Sequence, residues 1–220
     1  MSNILAIETS SDACSIALCK EDKDYLFHKV MPQQHTSKLL ELIDEMLVNH
    51  GVSYKKLDAI AAGCGPGSFT GVRLACSVAQ GLSYSLDISA IQVSSLQVMA
   101  EHFHKKYQAQ EVVTLVNAHM GRLYLGIFEY KKELSSSSEV GIQVEEFDIS
   151  DFSSKTYFVG DGCELVKMKL DKIKPKIYNH LPHAHDLLTI AKKKLDKGET
   201  VNPEKIIPVY LTGEEHWKKP

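Results

Sequence analysis

Arginine is nearly missing from this 220-residue chain: of its 25 basic residues only Arg73 and Arg122 are arginine. That is sparse for a surface that grips phosphates through bidentate forks. Basic charge is not in excess either. The 28 acidic residues leave a net charge of −3, which removes any bulk electrostatic drive toward nucleic acid or anionic membranes. The five cysteines, Cys14, Cys19, Cys64, Cys76 and Cys163, include no C-x-x-C pair, so reduced thiols serving as small core residues are expected. The ten histidines form neither H-E-x-x-H nor H-x-x-x-H. His102 and His104 are two apart, as are His183 and His185, and that spacing points them to different faces of a helix. No metal site is therefore expected. A G-x-S-x-G nucleophile elbow is also lacking. The first residues show no basic stretch leading into a long apolar one, so no signal peptide is expected. The least charged run, Gly65 to Leu86, carries Arg73, Ser68, Ser77, Gln80 and Ser83 and reads as a buried helix, not a membrane span.

What remains is an ordinary globular composition, 44% hydrophobic and 24% charged, long enough for a substantial core in one large domain or two small ones. Its most informative stretch is Gly63-Cys64-Gly65-Pro66-Gly67-Ser68-Phe69-Thr70-Gly71-Val72-Arg73. It follows an apolar run, Ala59-Ile60-Ala61-Ala62, that reads as a buried strand, and it precedes a helix from about Thr70 to Tyr84. A strand, glycine loop and helix in that order can cradle an anion at the helix N-terminus. The loop lacks the Lys-Ser/Thr of a P-loop and the spacing of a dinucleotide fingerprint. Two readings stay open: a phosphate contact, or a tight turn that lets the helix pack closely on the sheet. The turn Glu8 to Asp12 is open in the same way, between a face for phosphate or metal and a polar hairpin turn.

Strands are expected at Ile4 to Ile7, Cys14 to Cys19 and Tyr25 to Val30. A helix follows from about Lys38 to His50, with Gln34-His35-Thr36-Ser37 as cap residues and Gly51 just past its end. After the Ala59 to Cys64 strand and the loop come a strand at Ser89 to Val93 and a helix from about Ser94 to Lys106. The pattern then restarts with Val112 to Val116, a polar turn, and Leu123 to Phe128, which suggests a duplicated unit. Lys131 to Glu139, with four consecutive serines, reads as a flexible loop. Thr156 to Val159 is a strand and His183 to Leu195 a helix. The boundary between lobes is placed at about Lys106 to Gln110, giving lobes 1–106 and 107–220. The Lys167 to Lys176 run reads as a solvated face, with a tRNA-backbone patch as the sharper alternative.

On the first long helix, Leu39, Leu40, Leu42, Ile43, Met46 and Leu47 span roughly 160° at about 100° per residue. That is wider than one core contact needs, and the next helix is apolar or small nearly all round. A second buried face, and so a partner, competes with burial between sheet and loops of the same chain. Leu40 and Leu47 lie at one edge of the arc and are the candidates for a partner side, with Val72, Arg73 and Cys76 on the second helix.

The residues Ile4-Leu5-Ala6-Ile7-Glu8-Thr9-Ser10, the Cys14 to Leu18 strand, His35-Thr36 and the Gly65 to Arg73 run stand in the order found in the TsaB (YeaZ) family. Val93-Ser94-Ser95-Leu96, Tyr124, Gly160-Asp161-Gly162, Pro208-x-Tyr210-Leu211 and Trp217-Lys218-Lys219 extend this resemblance over the whole chain. The resemblance implies an α/β fold of two ribonuclease-H-like lobes of the actin/hsp70/sugar-kinase superfamily. It implies a cytoplasmic, non-catalytic scaffold that binds TsaD, the subunit that transfers threonylcarbamoyl to adenosine 37 of tRNA, with TsaE joining the pair. A homodimer is implied when the protein is alone, and tRNA contact only through the complex. It makes Glu8, Thr9, Ser10, Gly65 and Gly67 a vestigial nucleotide-site turn, and it implies no cofactor. Ser94 to Met99 holds no histidine where TsaD-type proteins carry a His-x-x-x-His metal motif. The chain departs from the family at Asn117-Ala118-His119, where Asp-Ala-Arg is common, and at Tyr210-Leu211-Thr212, where Tyr-Leu-Arg is common. A stand-alone ATPase or sugar-kinase-like enzyme is the alternative; a metallopeptidase lacks its ligands.

Overall fold

A computed structural model describes residues 2–211. They divide into two compact units. The first comprises residues 2–98 together with Leu181–Val209; the second comprises Met99–His180 with Tyr210 and Leu211.

The first unit is built on strands β1 (Ile4–Glu8), β2 (Ala13–Lys20), β3 (Lys23–Val30), β4 (Ala59–Gly63) and β5 (Ser89–Val93), in the order β3-β2-β1-β4-β5. β2 runs antiparallel to β1 and β3, while β4 lies parallel to β1 and β5. Alternation along the central strands feeds two cores, as the two-residue pleat requires. Leu5, Ile7, Ile16, Leu18, Ile60 and Ala62 face helices α1 (His35–Asn49) and α2 (Phe69–Leu86). Ile4, Ala6, Ala17, Ala59 and Ala61 face α5 (Ala184–Asp196), which brings Ala184, Leu187, Leu188 and Ala191. Three of those five strand residues on the α5 side are Ala on β2 or β4, so the helix lies close to the sheet.

α5 was expected in the second lobe. It belongs to the first unit because its apolar stripe packs on this alanine face, and the Ala184 N–H donates to Ser15 Oγ at 2.9 Å. The expected break near residues 106–110 also moves. The chain passes from the first unit to the second within α3 (Ser95–Tyr107), at Val98/Met99.

The second unit repeats the sheet. Its strands are β6 (Glu111–Asn117), β7 (Arg122–Tyr130), β8 (Leu134–Gln143), β9 (Tyr157–Val159) and β10 (Lys176–Tyr178), in the order β10-β9-β6-β7-β8. Read from β8, strand order and direction match the first unit: two antiparallel neighbours, then two parallel ones. The expected duplication into two ribonuclease-H-like α/β lobes is met at the level of the sheets. The serine run is not a loop. Ser135 to Ser138 lie in edge strand β8, held by pairing to β7 and by Ser135 Oγ donating to the Glu129 carbonyl at 2.9 Å. Local composition favoured a loop, and cross-strand pairing overrode it. The connections are short: a 3₁₀ turn at Val144–Glu146, another at Asp161–Val166, and the single turn α4 (Lys167–Leu170). Phe147, Phe158, Leu115, Leu123 and Leu170 fill the core beneath them. The family resemblance at Trp217-Lys218-Lys219 and the departure at Thr212 lie outside the described residues.

Candidate functional site

Glu8 closes β1 and is fully buried. Its Oε1 accepts from the Ser10 N–H at 2.7 Å and its Oε2 from the Ser95 hydroxyl at 2.9 Å. Ser95 Oγ in turn accepts from the Gly65 N–H at 3.2 Å. One carboxylate thus ties the β1–β2 turn, the glycine loop and the start of α3. Burial pushes the Glu8 carboxyl above its ordinary value, and the bonds from Ser10 and Ser95 oppose that shift. Gly63 lies beneath it, and a Cβ there would overlap the carboxylate.

The glycine loop is seated directly on the turn. The Ser68 N–H donates to the Ser10 carbonyl at 2.7 Å, and Thr9 Oγ1 donates to the Gly71 carbonyl at 2.7 Å. A Cβ at Gly67 would collide with Ser10, and one at Gly71 with the Thr9 carbonyl. Ser68 caps α2, its Oγ accepting from the Gly71 N–H at 3.4 Å. The amides of Gly65, Ser68 and Gly71 are therefore all used inside the protein. Structure brings Glu8, Thr9, Ser10, Gly65 and Gly67 together as the sequence suggested, but in a closed seam where the glycines permit close backbone approach. Ser95 stood in the sequence only as part of the Val93-Ser94-Ser95-Leu96 family motif, with no role at this seam assigned to it.

The cysteines offer no nucleophile. All five are free and buried. Burial pushes Cys14 up to about 11 and Cys163 up to about 12. The hydrogen bond shared with Cys76, together with burial, holds the Cys64 thiol far above its ordinary value. Reactive thiols need the opposite environment.

The helices carry the other candidate. α1 starts at His35, and none of the anticipated hydroxyls caps it; Gly51 follows its end with φ +64°, as expected of a C-terminal glycine. Of the five residues expected at a partner interface, three are core. Leu47, Val72 and Cys76 are buried beneath α1 and α2 among Leu5, Ile60 and Ala79. The wheel put Leu47 and Leu40 about 20° apart, and the core boundary runs between them: Leu47 is 1% exposed, Leu40 57%. Leu40 stays outside, as does Arg73, whose guanidinium carbon sits 3.7 Å from the Phe69 ring centroid. The outer surfaces of α1 and α2, which pack against each other, also present Val48, Phe69 and Tyr84, each more than half exposed. None of these three was singled out from the sequence.

Comparisons with known proteins fit this arrangement. A family model described as "TsaD: tRNA N6-adenosine threonylcarbamoyltransferase" matches residues 29–219. The chain is 33% identical to the tRNA threonylcarbamoyladenosine biosynthesis protein TsaB of Haemophilus influenzae, across 98% of this chain and 96% of that one. It is 32% identical to the Escherichia coli protein of the same name, across 98% and 97%. The solved structure of YeaZ from Pseudomonas aeruginosa superposes with a TM-score of 0.87 at 33% identity, covering 96% of this chain and all of that one. With whole-length likeness in sequence and in both sheets, this chain belongs to the TsaB (YeaZ) family of tRNA threonylcarbamoyladenosine biosynthesis proteins, within the wider group that the TsaD model describes.

Proposed function

We propose that this chain is a non-catalytic scaffold subunit in the threonylcarbamoylation of adenosine 37 in tRNAs that read codons beginning with A. It binds the catalytic subunit TsaD through the outer surfaces of α1 and α2, and TsaE joins the pair. Without TsaD the same surfaces pair with a second copy, and tRNA is reached only through the complex. A cytoplasmic location is part of this proposal and rests on the proposed tRNA substrate. Separately, no described helix is long and apolar enough to cross a membrane.

The observation that carries this reading is the exposure of Leu40, Val48, Phe69 and Tyr84 on two adjacent helices. Scattered single apolar side chains are normal at a surface; four on one helix pair favour a contact there. The closed seam weighs against the alternative of a stand-alone ATPase or sugar-kinase-like enzyme, because three amides that could cradle a phosphate already have partners. Calorimetric titration with ATP separates the two readings: saturable binding at one site favours the enzyme.

The test of the scaffold is Leu40→Asp. An unpaired charge at a desolvated apolar contact is costly. The variant is expected to keep the wild-type far-UV CD spectrum and to lose at least about tenfold in affinity for TsaD. Size-exclusion chromatography with light scattering reads both complex and self-association. Wild-type affinity in a folded variant removes this face from the proposal.

A further inference from the structure

The second unit gathers three tyrosines at one corner of its sheet. Tyr107 ends α3, Tyr157 stands on β9 and Tyr178 on β10. Tyr107 lies 5.7 Å from each of the other two ring centroids, and Tyr157 and Tyr178 are 6.2 Å apart. Their planes are inclined by 26° or less, so the rings form a tiled, nearly parallel set, backed by Phe103 at 4.9 Å from Tyr178. Tyr157 and Lys176 are register partners, and Lys176 and Tyr178 share a face two residues apart. Tyr107 is 39% exposed, Tyr178 partly exposed and Tyr157 buried.

Two ammonium groups border the rings. Lys176 Nζ sits 4.3 Å from the Tyr157 centroid and donates to its hydroxyl at 2.6 Å. Lys106 Nζ sits 5.3 Å from the Tyr107 centroid. Lys176 also ends the segment Lys167 to Lys176, which holds five lysines and one acidic residue, Asp171. In a chain of net charge −3 this is a local reversal of sign. Sealing an edge strand accounts for the buried Tyr157. It does not call for an exposed Tyr107 ring with Lys106 beside it and Lys176 at the adjoining Tyr157.

We propose that, within the tRNA-bound complex, this tyrosine–lysine corner is a contact for unpaired nucleotides of RNA, with a base stacking on Tyr107 and neighbouring phosphates meeting Lys106 and Lys176. The inference rests on the reading that the chain serves tRNA modification. Single-stranded RNA is bound by aromatic rings that any base can stack on, combined with cations that follow the backbone. An acidic peptide would use the lysines and leave the rings idle, so RNA fits the pair of features better. Two bordering lysines make a weak, salt-sensitive site, suited to adding to a partner's grip rather than to holding RNA alone.

The test uses the full chain and a fluorescein-labelled oligoadenylate of about 12 nucleotides, followed by anisotropy at about 50 mM salt. Tyr107→Ala is expected to weaken binding about fivefold or more, Tyr107→Phe to leave it within about twofold, and Lys106→Glu to weaken it further. The same sequence as a duplex should bind less tightly, and poly-glutamate should compete poorly. Absence of binding by the wild type, an unchanged Tyr107→Ala, or poly-glutamate competing as well as RNA overturns the proposal. Near-UV CD on each variant checks the fold, and Lys106→Glu, fully on the surface, carries the test if Tyr107→Ala does not fold. Co-elution of the wild type with TsaD, run in parallel, reports on the scaffold separately. Lost co-elution with RNA binding intact removes the scaffold and leaves the contact; the reverse removes the contact alone.

Discussion

The two units share a strand order and differ in what connects the strands. Between β3 and β4 the first unit inserts the 15-residue α1; between β8 and β9 the second has a 3₁₀ turn followed by an irregular stretch that packs Phe147 and Phe152 on the sheet. Between β4 and β5 stands the 18-residue α2; between β9 and β10 there are a 3₁₀ segment and the four-residue α4. The same sheet is thus covered once by long helices and once by short segments with large aromatic side chains. A sheet needs its apolar face covered, and either device does so. Only the long helices leave an outer surface broad enough to carry Leu40, Val48, Phe69 and Tyr84. The comparison supports the proposed partner face on the first unit for a physical reason: α4, with four residues, makes one turn and has no second face to offer.

The sharpest way to break this comparison is Leu47→Asp. Leu47 lies in the first unit's core, so a carboxylate there loses water and gains no counter-ion. The expected cost exceeds about 4 kcal/mol, most of the roughly 5 kcal/mol that holds a domain at the low end of the ordinary stability range. Loss of the cooperative thermal transition and of much of the helical CD signal would report it; a folded, cooperative Leu47→Asp would mean that α1 is not the cover that Leu47's burial indicates.

Next in size is Phe147→Ala. Phe147 is the second unit's substitute for a covering helix, its ring edge-on to Phe158 at 6.3 Å and 89°. Removing it should cost about 3–4 kcal/mol, with little change in far-UV CD because no long helix depends on it. Urea unfolding measures this. A loss below about 1 kcal/mol would show that the short connection does not do a helix's work.

The smallest effect concerns the strand ends. β1 ends in buried Glu8, whereas β6 ends in partly exposed Asn117, whose N–H donates to Asp161 at 3.0 Å. Because burial raises the Glu8 carboxyl above its unfolded value, the native state holds the proton more tightly than the unfolded chain. Stability from this group is fully present below the unfolded value near 4.5 and is lost as pH rises through the folded one. Glu8→Gln should flatten that part of the stability–pH curve, leaving stability at neutral pH equal or slightly higher. Urea midpoints from acid to neutral pH check it. A wild-type curve that climbs through this window with no change in Glu8→Gln would contradict the assignment.

Most strands and all the long helices were legible in the sequence because each carries a local signal. The short apolar run Ile4 to Ile7 and the 3.6-residue stripe in α1 are such signals. Strands β8 and β10 were not. Ser135 to Ser138 have little strand propensity, and Lys176–Tyr178 is only three residues long; both are held by neighbours far along the chain. The same holds for the site. The Gly65 to Arg73 run announced itself by glycine spacing, while Ser95, visible only inside a family motif, joins Glu8 across 87 positions, a pairing that no local pattern indicates.

The sequence by itself determined the family, the repeat of the opening strand pattern and the amphipathic helices, since motif order and periodicity are properties of neighbouring residues. Tertiary structure alone decided three things. It assigned α5 to the first unit, because an apolar stripe does not name the sheet face it will meet, and the alanines of β2 and β4 that receive it lie more than a hundred positions earlier. It drew the core boundary between Leu47 and Leu40, which a helical wheel holds almost level, because burial depends on where the sheet and α2 end. It closed the glycine loop onto the Thr9–Ser10 turn, turning amides that could have held an anion into donors for the protein's own carbonyl and hydroxyl oxygens. Each outcome depends on which surfaces meet across the chain, and local periodicity carries no information about that.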